Sequence, residues 1–162
     1  MGHRAWGKRS PRGPPAICIA TKQVQLGYTA HFVTAQSLAN QLGRATTLVG
    51  RQRLLKPLFG CDVLVLDELG YLPTAPAFGP ALYEVVAARY ERRPTIITSN
   101  KSLPEWAAVV QEASLATAIV DRLLHHGDIF YLKGPSWRLK GRALEDPTTT
   151  LRTTHPTGTP LP

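Results

Sequence analysis

Two periods organise the hydrophobic positions along the chain. The first is a continuous run, Val63-Leu64-Val65-Leu66, inside the stretch Asp62–Gly70. An apolar run of that length with no polar side predicts a strand buried on both faces, as in a parallel sheet covered by helices. The run ends in two adjacent acids, Asp67 and Glu68. A second β-rich run, Thr95-Ile96-Ile97-Thr98-Ser99-Asn100, also closes on polar residues. Tyr28–Val33 alternates more weakly and predicts a further strand.

The other period is helical. Phe78, Leu82, Val85 and Val86 form a stripe that Pro94 ends, with Glu84, Arg89, Glu91 and Arg92 off it. Leu115, Ile119 and Leu123 share one face of a helix starting near Ser114 and stopped at Gly127, with His125 and His126 in its last turn. A helix is expected over Ala16–Leu26 with Gly27 as its stop, and another over Gln36–Leu42 capped by Thr34. Ser102 and Glu105 have capping-box spacing, with Pro104 in the first turn. Arg51–Lys56 reads as a basic stretch leading into the central strand, and Tyr71–Pro76 as a loop. Ile129–Lys133 and Trp137–Lys140 read as a terminal hairpin around Gly134-Pro135. Strands alternating with helices imply an α/β fold with a mainly parallel sheet.

Composition bounds this picture. At 162 residues with 43% hydrophobic content, the chain makes one domain with loose ends. Residues 1–15 hold five Arg, Lys or His, three Pro and three Gly and are expected to be disordered, as is the Thr- and Pro-rich tail 141–162. No apolar window is long enough for a membrane span, and Met1-Gly2-His3-Arg4 leads into no signal-peptide core. Cys18 and Cys61 lack metal-ligand spacing and read as reduced cytoplasmic thiols. The net charge of +8 permits a polyanionic partner such as nucleic acid, but it is spread along the chain.

Asp67 and Glu68 carry the chemistry. In open α/β sheets ligands bind at the carboxyl ends of strands, where these acids emerge. One carboxylate suits Mg²⁺, which prefers hard oxygen ligands; the other suits orienting an attacking water. The plain alternative is a strand that ends in two solvated acids.

Taken together, Asp62–Gly70, the helix ending Arg89-Tyr90-Glu91-Arg92, Thr95–Asn100 and Asp121-Arg122-Leu123-Leu124-His125-His126 resemble the IstB-like helper ATPases of insertion sequences. These are relatives of the DnaC helicase loader in the AAA+ class of P-loop ATPases. The likeness runs from about Ala16 to Lys140 and includes the ending Ser136-Trp137-Arg138-Leu139-Lys140. It implies a three-layer α/β/α P-loop core over 16–140. It implies that Asp67 binds Mg²⁺, that Glu68 serves the hydrolytic water, and that Asn100 senses the γ-phosphate. Arg122 is implied as an arginine finger acting on ATP in a neighbouring subunit, a role that suits a charged, forked side chain. The implied cofactors are ATP and Mg²⁺. The implied partners are double-stranded DNA, a transposase and further copies of the chain, with no membrane. The implied function is ATP-dependent help to a transposase. The alternatives are a DnaC-like helicase loader in replication, or a non-catalytic DNA- or protein-binding remnant. Taken singly, Asn100 also fits a turn, Arg122 a surface ion pair, His125 and His126 a helix end, and Tyr83, Tyr90 and Trp106 packing.

One departure stands out. A phosphate loop reads G-x-x-x-x-G-K-[S/T], its backbone N–H groups cradling phosphates and its Lys reaching the β and γ groups. Here Gly2-His3-Arg4-Ala5-Trp6-Gly7-Lys8-Arg9 keeps the glycine spacing and Lys8 but has Arg9 for the hydroxyl, with Pro11, Pro14 and Pro15 against a following helix. The genetic code offers an origin. Read from the third base of the Met1 codon, the bases force a glycine there and a second one across Trp6 and Gly7, and Gly-Pro-Pro-Gly-Val-Gly-Lys-Thr is an allowed reading. Residues 1 to about 15 thus read as an out-of-frame phosphate loop, the alternative being coincidence helped by codon freedom. Such a chain is expected to lack its first strand and ATP hydrolysis. The missing strand is expected to leave an empty position beside the central strand.

Overall fold

The structure, a computed structural model, describes residues 15–71 and 75–132. Lys8 and the rest of the phosphate-loop-like stretch, the Trp137–Lys140 arm and the tail 141–162 lie outside the described residues.

In chain order the elements are α1 (Pro15–Gln25), β1 (Ala30–Thr34), α2 (Ala35–Arg44), α3 (Leu48–Gly60), β2 (Val63–Leu69), α4 (Phe78–Arg89), β3 (Thr95–Ser99), a 3₁₀ turn (Leu103–Glu105), α5 (Trp106–Val110) and α6 (Ala113–His125). The three strands form one parallel sheet in the order β1-β2-β3. The expected α/β class is therefore observed. The expected vacancy beside the central strand is not, because β1 and β3 occupy both sides of β2. Any further strand must join an outer edge of β1 or β3. All five residues of β3 keep some solvent exposure, whereas Val63 to Leu66 of β2 are buried.

Alternation along the strands separates two layers. Leu64, Leu66, Val33 and Ile97 face the larger core, built with Leu38, Leu55, Leu58, Leu82, Val85, Trp106 and Ile119 from the later helices. Val65, Phe32 and Ile96 face the other way and meet Ala16 and Ala20 of α1. Burial stabilises by about 0.8 kcal/mol per CH₂ group, so two alanines hold α1 far more weakly than the leucines hold the opposite layer.

Local signals fix the ends. Gly27 takes φ +92° beyond α1, a left-handed conformation that glycine adopts without a Cβ penalty. The Thr34 hydroxyl accepts from Ser37 N at 3.1 Å and starts α2. The Thr47 hydroxyl accepts from Gly50 N at 3.1 Å and starts α3, which includes the stretch Arg51–Lys56 and contains Pro57. At the start of α4, Gly79 permits close contact with α5. A Cβ there would lie 2.5 Å from the Val110 carbonyl oxygen. Ser102 N and Oγ donate to Glu105 Oε2 at 2.8 and 2.7 Å, which realises the capping box.

Two expectations are corrected. Ile129–Leu132 forms no strand, so the first arm of the expected hairpin is absent over those residues. Arg89, placed off the apolar stripe, is only 2% exposed. Its Nη1 donates to Leu58 O and Cys61 O, both at 2.8 Å, and its Nη2 to Pro94 O at 2.7 Å and Asp62 O at 3.2 Å. Its Nε donates to Thr95 Oγ1 at 2.9 Å. The guanidinium thus ties the end of α3 to the beginnings of β2 and β3. Burial pulls its pKa below the usual arginine value.

Candidate functional site at the carboxyl end of the sheet

The geometry of the site starts from a mismatch between β2 and β3. Leu66 pairs with Ile97 and Leu69 with Ser99, so Asp67 and Glu68 together oppose the single residue Thr98. This is a β-bulge, a device that re-aims side chains beside binding sites. Glu68 absorbs the extra length with φ +61°, a region that non-glycine residues seldom enter. Its side chain stays exposed, while Asp67 is half-buried.

Thr98 holds the bulge together. Its hydroxyl accepts from Glu68 N at 3.0 Å and donates to Asp67 Oδ1 in a short hydrogen bond. One carboxylate oxygen of Asp67 is thereby fixed. Beyond it, Ser99 Oγ donates to Leu69 O at 2.8 Å and accepts from Lys101 N at 3.0 Å. Gly70 follows at φ +88°. A Cβ on Gly70 would come within 2.5 Å of Lys101 Cγ, so glycine lets the lysine stem cross the strand end. Lys101 Nζ then pairs with Glu105 Oε1 at 3.1 Å. Glu105 is drawn down to a pKa of about 2, first by the Ser102 hydroxyl and then by the Ser102 backbone N–H and Lys101.

Asp67, Glu68 and Asn100 therefore come together at one end of the sheet, Asn100 being exposed just after β3. Thr98 was missed as a site residue. The available signal was a polar side chain directly after Ile96-Ile97, in the β-rich run that closes on polar residues.

Arg122 stands elsewhere. Its Nη1 donates to Ala118 O at 2.9 Å, and its guanidinium lies 4.9 Å from the centre of the Tyr83 ring. The cleft it lines also includes Tyr90, Pro94 and Thr95, which lie at the amino end of β3. Within one chain, Arg122 and the Asp67–Glu68 pair thus occupy opposite ends of the sheet. Tyr83 packs beneath Arg122, and Trp106 is buried in the core. No described helix is long and apolar enough to cross a membrane.

The parallel sheet, its helical layers and the carboxylate pair at the strand tip place the chain in the P-loop α/β class. The family described as "IstB-like ATP binding protein" matches residues 13–145, and the chain belongs to it. Among curated relatives, it is 43% identical over 141 residues to a protein named for ATP binding in insertion sequence IS5376 of Geobacillus stearothermophilus, covering 83% of this chain and 56% of that protein. It is 37% identical over 135 residues to the corresponding insertion sequence IS21 protein of Pseudomonas aeruginosa, covering 79% of this chain and 51% of the relative. A third relative, from insertion sequence IS232 of Bacillus thuringiensis subsp. berliner, is 35% identical over 140 residues, covering 86% of this chain and 54% of its own length. The chain spans about half the length of the curated relatives it matches.

Proposed function

We propose that the carboxyl end of the sheet is the metal and γ-phosphate half of an ATP site that serves DNA transposition. The observation that carries this reading is the Thr98 clasp, which fixes one oxygen of Asp67 while the bulge lifts Glu68 into solvent. Asp67 and the Thr98 hydroxyl form a hard oxygen set that fits Mg²⁺ with its waters. Mg²⁺–ATP, when bound, supplies the electrophilic γ-phosphoryl group and its charge.

The protein's own contribution follows from placement. Asp67 holds the metal's waters. Glu68 accepts a hydrogen bond from the attacking water and orients it. Asn100 reads the γ-phosphate from the next strand tip. Arg122, at the other end of its own sheet, reaches ATP held by an adjacent copy, where its fork stabilises developing charge. Gly2, Gly7 and Lys8 keep only the spacing of a phosphate loop, with Arg9 for its hydroxyl, so nucleotide binding by this chain is impaired. The names of the insertion-sequence relatives support transposition over replication as the setting. A transposase and double-stranded DNA are the proposed partners.

The test uses the 162-residue chain and a version whose first eight residues are replaced by a Gly-Pro-Pro-Gly-Val-Gly-Lys-Thr loop. Calorimetric titration with ATP–Mg²⁺ should show micromolar binding in the restored version, lost in Asp67→Ala, and none in the chain as it stands. In the restored background, Arg122→Ala and Glu68→Gln should each abolish hydrolysis, and mixing the two should partly recover it. No ATP binding after restoration would overturn the nucleotide reading. No recovery in any mixture would overturn the action of Arg122 across a subunit boundary.

A further inference from the structure

Away from the Asp67 site, the end of α6 brings together groups of a different chemistry. Adjacent residues on a helix point about 100° apart, so His125 and His126 would normally diverge. Here the helix ends at His125, and His126 leaves it with φ −132° and ψ 21°. The two rings consequently stack, with centroids 4.2 Å apart and planes inclined by 24°. Both face Glu91 in the turn between α4 and β3. His126 Nε2 lies 3.0 Å from Glu91 Oε1, and His125 Nδ1 lies 4.0 Å from the same oxygen. One ligand atom from each of the three residues falls within 4.8 Å of the others.

We propose that Glu91, His125 and His126 form a binding site for a divalent transition-metal ion of the zinc class. Zinc takes imidazole nitrogen and carboxylate oxygen at bonds of about 2.0–2.2 Å, which places tetrahedral ligand atoms roughly 3.3 Å apart. The 3.0 Å edge is already at that length, and the 4.0 Å edge needs only a small side-chain rotation. All three side chains are more than half exposed, so rotation meets no packing barrier. Water fills the remaining position. Two imidazoles select zinc, nickel or copper over Mg²⁺ and Ca²⁺, which want oxygen. This site is therefore chemically distinct from the carboxylate pair on β2.

Tyr90 is the competing partner, since its hydroxyl makes a short hydrogen bond with His125 Nδ1. The metal takes that nitrogen in its place. The ion then clips the end of α6 to the turn that follows α4, one helical turn beyond Arg122. The inference stands apart from the nucleotide reading, because none of its ligands belongs to the Asp67 site.

The test is a titration of the full chain with Co²⁺, whose visible absorption reports imidazole coordination, followed by displacement with Zn²⁺. Binding in the micromolar range is expected. His126→Asn and Glu91→Gln should each weaken it about tenfold or more, in line with loss of one ligand. Cys18→Ser, which removes the exposed thiol, should leave it unchanged. Circular dichroism checks the fold of each variant, and His125→Asn serves if another fails to fold. Equal affinity in the chain and its ligand variants would overturn the site as adventitious binding elsewhere. Absence of binding below about a hundred micromolar would reduce the cluster to an ion pair.

Discussion

The two ends of the sheet are built on opposite terms. At the amino end side-chain hydrogen bonds tie the strand starts together. Arg89 donates to four main-chain carbonyls, and Thr29 and Asp62 exchange three hydrogen bonds of 2.6–3.0 Å between the starts of β1 and β2. At the carboxyl end the same strand carries a bulge, two residues with positive φ and an exposed acid. Hydrogen bonds from a buried side chain are concentrated at the amino end of the sheet, and the bulge lies at the carboxyl end, where the nucleotide is proposed. That division is the expected one, because strained backbone persists only when the surroundings over-determine it.

The contrast can be broken most strongly at Arg89. Arg89→Met removes the donors, so the Leu58, Cys61 and Asp62 carbonyls face a buried apolar chain, while Pro94 O keeps its hydrogen bond from Leu64 N. Each unsatisfied group costs about 1–3 kcal/mol, so a loss of about 3 kcal/mol or more is expected in urea unfolding. A loss below about 1 kcal/mol would show that water replaces the guanidinium.

A smaller effect of opposite sign is expected at the other end. Glu68→Gly relieves the positive φ and should stabilise the chain by up to about 1 kcal/mol in the same measurement. In the loop-restored background it should abolish ATP hydrolysis. Destabilisation by Glu68→Gly would mean that the bulge is not strained.

The smallest expected effect lies in the capping box. Glu105 titrates at about 2 against an ordinary value of 4.5, so it favours the folded state above pH 4.5, and this contribution is lost as pH falls toward 2. The Tm difference between the native chain and Glu105→Gln should be constant above about pH 5 and close toward pH 2. A difference independent of pH would assign the contribution to packing instead of charge.

What could be read from the sequence was whatever rests on one element at a time. The apolar run Val63–Leu66, the Thr34 cap, the Gly27 stop and the Ser102–Glu105 box all appear as expected, since each depends on neighbours within a few residues. Helix α3 was missed for a physical reason. It buries only Leu55 and Leu58, contains Pro57, and therefore shows no clear stripe. The helical start expected at the Ser102–Glu105 box is present as a 3₁₀ turn followed by the short α5. The roles of Arg89 and Thr98 depend on contacts distant in sequence. Their partners lie up to 31 residues away, and a buried arginine satisfied by carbonyls leaves no matching acid in the pattern. The place of Asp67 and Glu68 at the carboxyl end of the central strand was legible because the apolar run leads to them. The opposite placement of Arg122 required the packing of α6 against α4.

The central place of β2 also bears on how the chain folds. Its contacts with β1 close across 33 residues, at Thr29 and Asp62, and those with β3 across 31, at Asp67 and Thr98. Neither neighbour can be reached through a hairpin, so the sheet must pay two long loop closures before either gives a reward. The sheet thus depends on contacts distant in sequence, whereas the lightly held α1 adds little to its closure.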